Sequence, residues 1–211
     1  MKDLFNIRRD FSLKTLDEKD IIADPIKMFE SWFEEALHSE VMEPNAMNLA
    51  TSNDNKVSSR IVLLKQIKPE GFVFFTNYDS KKAQQIRNNK YCALNFVWHE
   101  LERQVRIEGI VEKVSSEESD SYFEMRPVKS KLGAWASPQS QPIPNREYLE
   151  NLVTKFHSKF AHQTITRPVN WGGYIVKPFL FEFWQGRKSR LHDRIQYSLI
   201  DNKWQIERLA P

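Results

Sequence analysis

The segment Arg60-Ile61-Val62-Leu63-Leu64-Lys65 (RIVLLK) is apolar at both parities and carries a cation at each end. A strand with one wet face alternates apolar and polar residues. A strand of this composition is therefore expected to be covered on both sides, by core and by a partner or ligand. Arg60 and Lys65 have opposite parity and point to opposite faces of a regular strand. They serve one site only if the strand bends or if two neighbouring ligands meet there. The alternative is a core strand capped by solvated cations.

Outward from this segment the pattern has period two. The segments 46–52, 57–65, 71–77, 91–98, 102–114, 171–177, 179–184, 190–200 and 203–208 read as strands rich in Val, Ile, Phe, Tyr and Trp. Before them, Asp24 caps a helix that has Pro25 at its first position and Ile26, Phe29, Phe33, Ala36 and Leu37 on one stripe. Short helices are expected over 79–89 after Asp79-Ser80, and over 116–126 with Ser115 and Glu118 as a capping box and Pro127 as the stop. A third is expected over 146–160, with Leu149, Leu152, Val153, Phe156 and Phe160 on one face. Many short strands with few intervening helices predict a mainly β, mostly antiparallel barrel with peripheral helices. Residues 1–20 are polar and unpatterned and read as a flexible arm, leaving 21–211 as a single domain.

Composition removes several function classes. Lys and Arg number 31 against 28 Asp and Glu, a surplus of three that makes a weak field for nucleic acid. No stretch is apolar enough to span a membrane, and the N-terminus has no apolar run of signal-peptide type. With Cys92 as the only cysteine, no disulfide can form within the chain, and a reducing cytoplasm is the expected setting. Six glycines, at 71, 109, 133, 172, 173 and 186, fit neither a dinucleotide fingerprint nor a phosphate loop. The five histidines show no metal spacing, so no metal is expected.

Several segments carry candidate chemistry. Lys81 and Lys82 fall in the first turn of a helix, unfavourable for cations unless an anion such as phosphate lies at that N-terminus; a solvated pair is the alternative. Tyr122 and Arg126 are four apart, with Ser130 and Lys131 just beyond Pro127, and together they could cup a phosphate monoester. A surface ion pair from Arg126 to Glu118 or Glu124 is the competing reading. Arg190, His192 and Arg194 alternate, so an extended chain puts all three on one face under something anionic or electron-rich. A solvated edge strand competes with that reading, but Trp184 and Gln185 precede it within an apolar hairpin. Gln104 lies opposite Val105, Ile107 and Val111 and could meet a heterocycle edge, or be simply a polar strand residue. Gln139 and Ser140, in the loop SPQSQPI after Trp135, could bond a phosphate or ring, or merely connect.

Taken in order, RIVLLK, ERQVRIEG, SYFEMRP with SKLGAWAS and QS, WGGY, EFWQG and RLHDR resemble the pyridoxine (pyridoxamine) 5′-phosphate oxidase family over essentially the whole chain, from IRRDF at 7–11 to ERLAP at 207–211. The resemblance implies a homodimeric split barrel with FMN between the subunits. It also implies oxidation of the substrate's 4′-CH₂ group, with hydride passing to the flavin and O₂ reduced to H₂O₂. Flavin contacts carried over from it fall on Arg60, Ile61, Val62, Leu63, Leu64, Lys65, Phe75, Thr76, Lys81, Lys82, Gln104, Gln139, Ser140, Trp184 and Arg194. Substrate contacts fall on Arg8, Arg9, Asp10 and Phe11 of the arm and on Lys65, Tyr122, Arg126 and Ser130 for the phosphate. Arg190 and His192 would lie over the pyridine ring as the catalytic pair. Lys81 stands where the family commonly has Arg, and Phe11 where it commonly has Tyr. Two other classes fit a split barrel: a protein that binds flavin or pyridoxal phosphate without turnover, and a flavin reductase using a nicotinamide.

Overall fold

The structure is a computed structural model that describes residues 4–6 and 9–211. Its strands are β1 (Ala46–Asn53), β2 (Lys56–Leu63), β3 (Gln66–Lys68), β4 (Gly71–Asn77), β5 (Tyr91–Trp98), β6 (Arg103–Lys113), β7 (Trp171–Gln185), β8 (Asp193–Ile200) and β9 (Lys203–Arg208). The helices are α1 (Pro25–Leu37), α2 (Lys81–Asn88), α3 (Ser116–Met125), α4 (Val128–Ala136) and α5 (Arg146–Lys159). The strands pair in the order β2-β1-β5-β6-β7-β4-β3, with β8 on β7 and β9 on β8, and the ladders are antiparallel.

One stretch of chain supplies both ends of this order. β3 follows β2 after only Leu64 and Lys65, so the sheet closes on itself. The Leu64 N–H donates to Asn45 O at 2.8 Å beside β1, and the next N–H, of Lys65, donates to Val73 O of β4 at 2.9 Å. Alternate residues then face inward: Met47 and Leu49, Leu94 and Phe96, Val105 and Ile107 are all buried, with Phe72, Phe74, Val176, Phe181 and Phe183 filling the space between.

Helix α1 forms where expected. The Asp24 carboxylate accepts from the Ile26 and Lys27 N–H groups, and Pro25 holds the first position. Its inner face is Met28, Phe29, Trp32 and Ala36. Leu37, expected on that stripe, is 51% exposed, because the stripe drifts around the helix by its last turn. The Phe29 ring lies 4.8 Å from Phe72 and 4.9 Å from Phe96, locking the helix onto the barrel interior.

Four expectations are corrected. The stretches 171–177 and 179–184 are one strand, β7, kinked by a bulge: Glu108 pairs with Leu180 and Gly109 with Pro178, leaving Phe179 over. A Cβ on Gly109 would lie 2.6 Å from Lys177 O, so the kink needs glycine. RIVLLK is not one regular strand, since β2 ends at Leu63 and the short β3 resumes after the break. The segment 190–200 is a strand only from Asp193, since Ser189 and Arg190 have φ of 56° and 62°. Pro127 does not merely stop α3; its carbonyl accepts from Ser130 and Lys131 and starts α4. The apolar face of α5 leans on Trp135 of α4, 5.6 Å from Phe156 and 5.4 Å from Phe160.

Phe29→Ala should cost about 3–5 kcal/mol, because the ring is fully buried among four other rings and the barrel cannot collapse into the void. Urea unfolding followed by tryptophan fluorescence measures it. A loss below about 1 kcal/mol would mean that α1 does not anchor the core.

Candidate active site

The break between β2 and β3 faces the first turn of α2 and the elbow joining α3 to α4, and a cavity of about 540 Å³ opens between them. Among the described residues four cations line it, Arg60, Lys65, Lys82 and Arg126, and no carboxylate does. The bend resolves the parity of RIVLLK: Arg60 and Lys65 reach the same cavity with Ile61, Val62 and Leu63, while Leu64 turns into the core. Ile61 is nonetheless 66% exposed, and Val57 on the same edge strand 75%.

Arg60 and Lys82 are held by neutral acceptors alone. The Arg60 guanidinium donates to Leu49 O at 3.2 Å, to Gln85 Oε1 at 3.3 Å and to the Thr51 hydroxyl. Lys82 Nζ donates to Gln139 Oε1 at 2.9 Å, Thr76 Oγ1 at 3.0 Å and Ser80 Oγ at 3.3 Å. Burial, and then the Arg60 charge, pulls the Lys82 ammonium down to about 8, and burial lowers Arg60 as well. The Ser80 hydroxyl donates to Asn77 O rather than capping α2, so the N-cap side chain leaves the first turn of that helix open.

At the α3–α4 elbow, Arg126 stacks over the Trp171 ring at 4.5 Å, and its buried Nη1 has no hydrogen-bond partner. The ion pair to Glu118 does not form, because Glu118 takes Lys68 at 2.7 Å. Burial lowers the Arg126 guanidinium, and Tyr122 beside it pulls the other way. Tyr122, Met125, Pro127 and Ser130 share this end of the cavity. Tyr122 lies parallel to Phe75 at 3.9 Å, and Phe75 to Trp171 at 5.6 Å, making a flat aromatic wall. Lys81 and Ser140 are exposed and line no part of the cavity, although their neighbours Lys82 and Gln139 do.

The remaining candidates gather elsewhere. Gln104, Trp184 and Arg194 are consecutive cross-strand neighbours on the outer face of β6, β7 and β8. Arg194 forks onto Glu182 at 2.9 and 3.0 Å and donates to Ala210 O at 2.7 Å; its hydrogen bonds to Glu182 raise its pKa. His192 lies 4.5 Å from Trp184, and its Nδ1 accepts the Arg187 N–H at 3.1 Å, which leaves the neutral ring to donate from Nε2. Burial and the nearby Arg190 charge lower its pKa, against Asp193. Arg190 occupies an exposed turn, so the expected three-residue strand face reduces to Arg194 alone. Two successive left-handed residues without glycine, Ser189 and Arg190, cost about 1–2 kcal/mol each.

The arm lies over this second group. Phe11 packs edge-on to Trp184 at 5.7 Å and reaches His192 at 5.9 Å, and a Cβ on Gly186 would lie 2.7 Å from it. The Glu102 carboxylate accepts the Ser12 and Leu13 N–H groups at 2.8 and 2.9 Å and faces Arg9 at 3.5 Å. Asp10 is exposed, and Arg8 lies outside the described residues. Sequence reasoning missed Thr51 and Gln85, which hold Arg60. Thr51 did leave a signal, a polar residue at the inward parity of Met47 and Leu49.

Residues 33–160 match the family model for pyridoxamine 5′-phosphate oxidase, and 171–211 match the pyridoxine 5′-phosphate oxidase C-terminal dimerisation region. The pyridoxine/pyridoxamine 5′-phosphate oxidase of Actinobacillus pleuropneumoniae serotype 3 is 54% identical over 209 residues, 99% of this chain and 100% of that one. That of Trichormus variabilis is 51% identical over 212 residues, 100% of this chain and 99% of the relative. Among solved structures, PhzG from Burkholderia lata superposes with a TM-score of 0.89 at 27% identity, covering 95% of this chain and all of that one. An FMN-binding, pyridoxamine 5′-phosphate oxidase-related protein of Nostoc punctiforme shares the fold, with a TM-score of 0.69 at 18% identity over 87% of this chain and 97% of that one. With more than half of its length in the oxidase model and full-length relatives more than half identical, the chain belongs to the pyridoxamine 5′-phosphate oxidase family.

Proposed function

We propose that this chain oxidises pyridoxine or pyridoxamine 5′-phosphate to pyridoxal 5′-phosphate, using FMN as cofactor and O₂ as acceptor and releasing H₂O₂. The observation that carries the reading is the cavity with four cations and no carboxylate, in which Arg126 keeps a buried, unpartnered Nη1. Such a site is completed by anions, and its two ends suit two phosphate monoesters. Arg60 and Lys82, with Thr76 and Gln139, would hold the FMN phosphate beside the uncapped first turn of α2. Arg126, Tyr122, Ser130 and Lys65 would hold the substrate phosphate.

Gln104, Trp184, Arg194, Arg190 and His192 lie outside that cavity, so one chain carries two partial sites. We read the protein as a homodimer in which each cavity is completed by the second group of the other copy. The exposed Val57 and Ile61 of edge strand β2, and the dimerisation match over 171–211, support it. No helix among the described residues is long and apolar enough to cross a membrane.

When bound, FMN supplies the two-electron acceptor for the 4′-CH₂ group and passes the electrons to O₂. The chain's own work is orientation. The phosphate clamp at Arg126 is remote from the reacting carbon and fixes the substrate's position. The Phe75–Tyr122–Trp171 wall excludes water on that side. A neutral His192 presents its Nε2–H as a donor, and Arg190 adds a positive charge toward the anionic pyridine oxygen.

The purified protein should be yellow and dimeric with one FMN per chain, and should release peroxide on addition of pyridoxamine phosphate. A monomer that takes up no FMN on reconstitution would refute the reading. Arg126→Ala should raise the KM for the phosphorylated substrate by about 30- to 1,000-fold, equivalent to roughly 2–4 kcal/mol, while FMN affinity changes little. If FMN is lost and KM stays put, the two phosphate ends have been assigned the wrong way round.

Lys82 carries a pH signature. It is charged below about 8 and neutral above, so an anion bound there is held less tightly as pH rises through that value. The FMN dissociation constant should rise between about pH 7 and 9, and Lys82→Met should weaken binding at the lower pH and flatten the profile. Flavin-fluorescence titration of both proteins checks this, and a profile unchanged in the variant would assign the titration to another group.

A further inference from the structure

Asp193, the first residue of β8, gathers donors from three separate stretches of chain. Its Oδ2 accepts the Leu16 N–H of the arm at 3.1 Å and Arg187 Nη1 of the preceding loop at 2.8 Å. Its Oδ1 accepts Arg208 Nη1 of β9 at 3.0 Å. Arg208 in turn donates to Leu16 O at 2.9 Å and to Glu18 at 2.8 Å, so the Leu16 backbone is pinned at both its polar groups. The loop between Gly186 and His192 has no strand partner. It contains the two left-handed residues Ser189 and Arg190, a form that persists only where the surroundings enforce it. Two bonds from Arg187 enforce it: its guanidinium on Asp193, and its N–H on His192 Nδ1.

We infer that Asp193 is a positioning residue: by clamping Arg187 and the arm at Leu16, it holds the 186–192 loop in the form that aims His192 and Arg190. The inference rests on the reading of those two residues as facing the substrate ring. Because the substrate phosphate is held separately at Arg126, loss of the clamp misdirects the ring without releasing the substrate. It therefore acts on kcat, not on KM.

Asp193→Asn holoenzyme should show kcat per bound flavin lowered by about tenfold or more, with KM for pyridoxamine phosphate within about threefold and FMN affinity within about twofold. Hydrogen exchange measured by mass spectrometry should quicken together in the peptides spanning 12–16 and 187–192. Arg187→Met breaks the same link from the other end while leaving the Leu16 and Arg208 bonds in place, so it should lower kcat similarly and loosen the loop but not the arm. A kcat per bound flavin within twofold of wild type, or a raised KM with kcat intact, would overturn the inference. So would unchanged exchange over 187–192 in either variant. If the wild-type protein itself releases no peroxide, the reading of the site has failed, and the exchange data alone then decide whether Asp193 couples arm to loop.

Discussion

Two successive backbone N–H groups, of Leu64 and Lys65, donate to opposite neighbours, one beside β1 and the other in β4. That crossover turns a row of strands into a closed barrel, because a single stretch of chain must complete both edges. Closure buries the inward rows of phenylalanine, leucine and valine in the core. It also breaks the strand at the point where its cations lie. Without the break, Arg60 and Lys65 would face opposite sides and no cavity would join them. The outer part of the same strand is left as an edge, with Val57 and Ile61 open.

Charge is distributed unevenly around this barrel. In the cavity the cations have neutral partners: Thr51 and Gln85 for Arg60, Thr76 and Gln139 for Lys82, an indole face for Arg126. Holding cations half-buried without counter-ions is unfavourable, and the lowered Lys82 and Arg60 pKa values express that cost. An anion that binds here relieves it, so ligand binding and folding stability are linked.

On the second face the acids take structural roles. Glu102 fastens the arm through two backbone N–H groups, Glu182 holds Arg194 and Arg106, and Asp193 joins arm, loop and last strand. One face keeps its cations available, and the other locks its cations onto carboxylates to set their direction. A glycine at 186 lets Phe11 close over the junction.

The period-two segments, the Asp24-Pro25 helix start and the ordered motifs were legible in the sequence because each depends on neighbours a few residues apart. They were enough for a mainly β antiparallel barrel and for most of the residues that line the cavity. Helix α4 escaped because VKSKLGAWA has little apolar asymmetry, and the partner of the α5 apolar face, Trp135, lies on that unseen helix. The left-handed turn at Ser189-Arg190 escaped because no glycine marks it, and the form is imposed by Arg187, His192 and Asp193. The bend at Leu64-Lys65, which brings two cations to one cavity, depends on hydrogen bonds to Asn45 and Val73. The sequence by itself determined which residues alternate, cap and carry charge. Only the tertiary structure decided which of them meet, because those meetings are set by backbone bonds between segments that no local pattern connects.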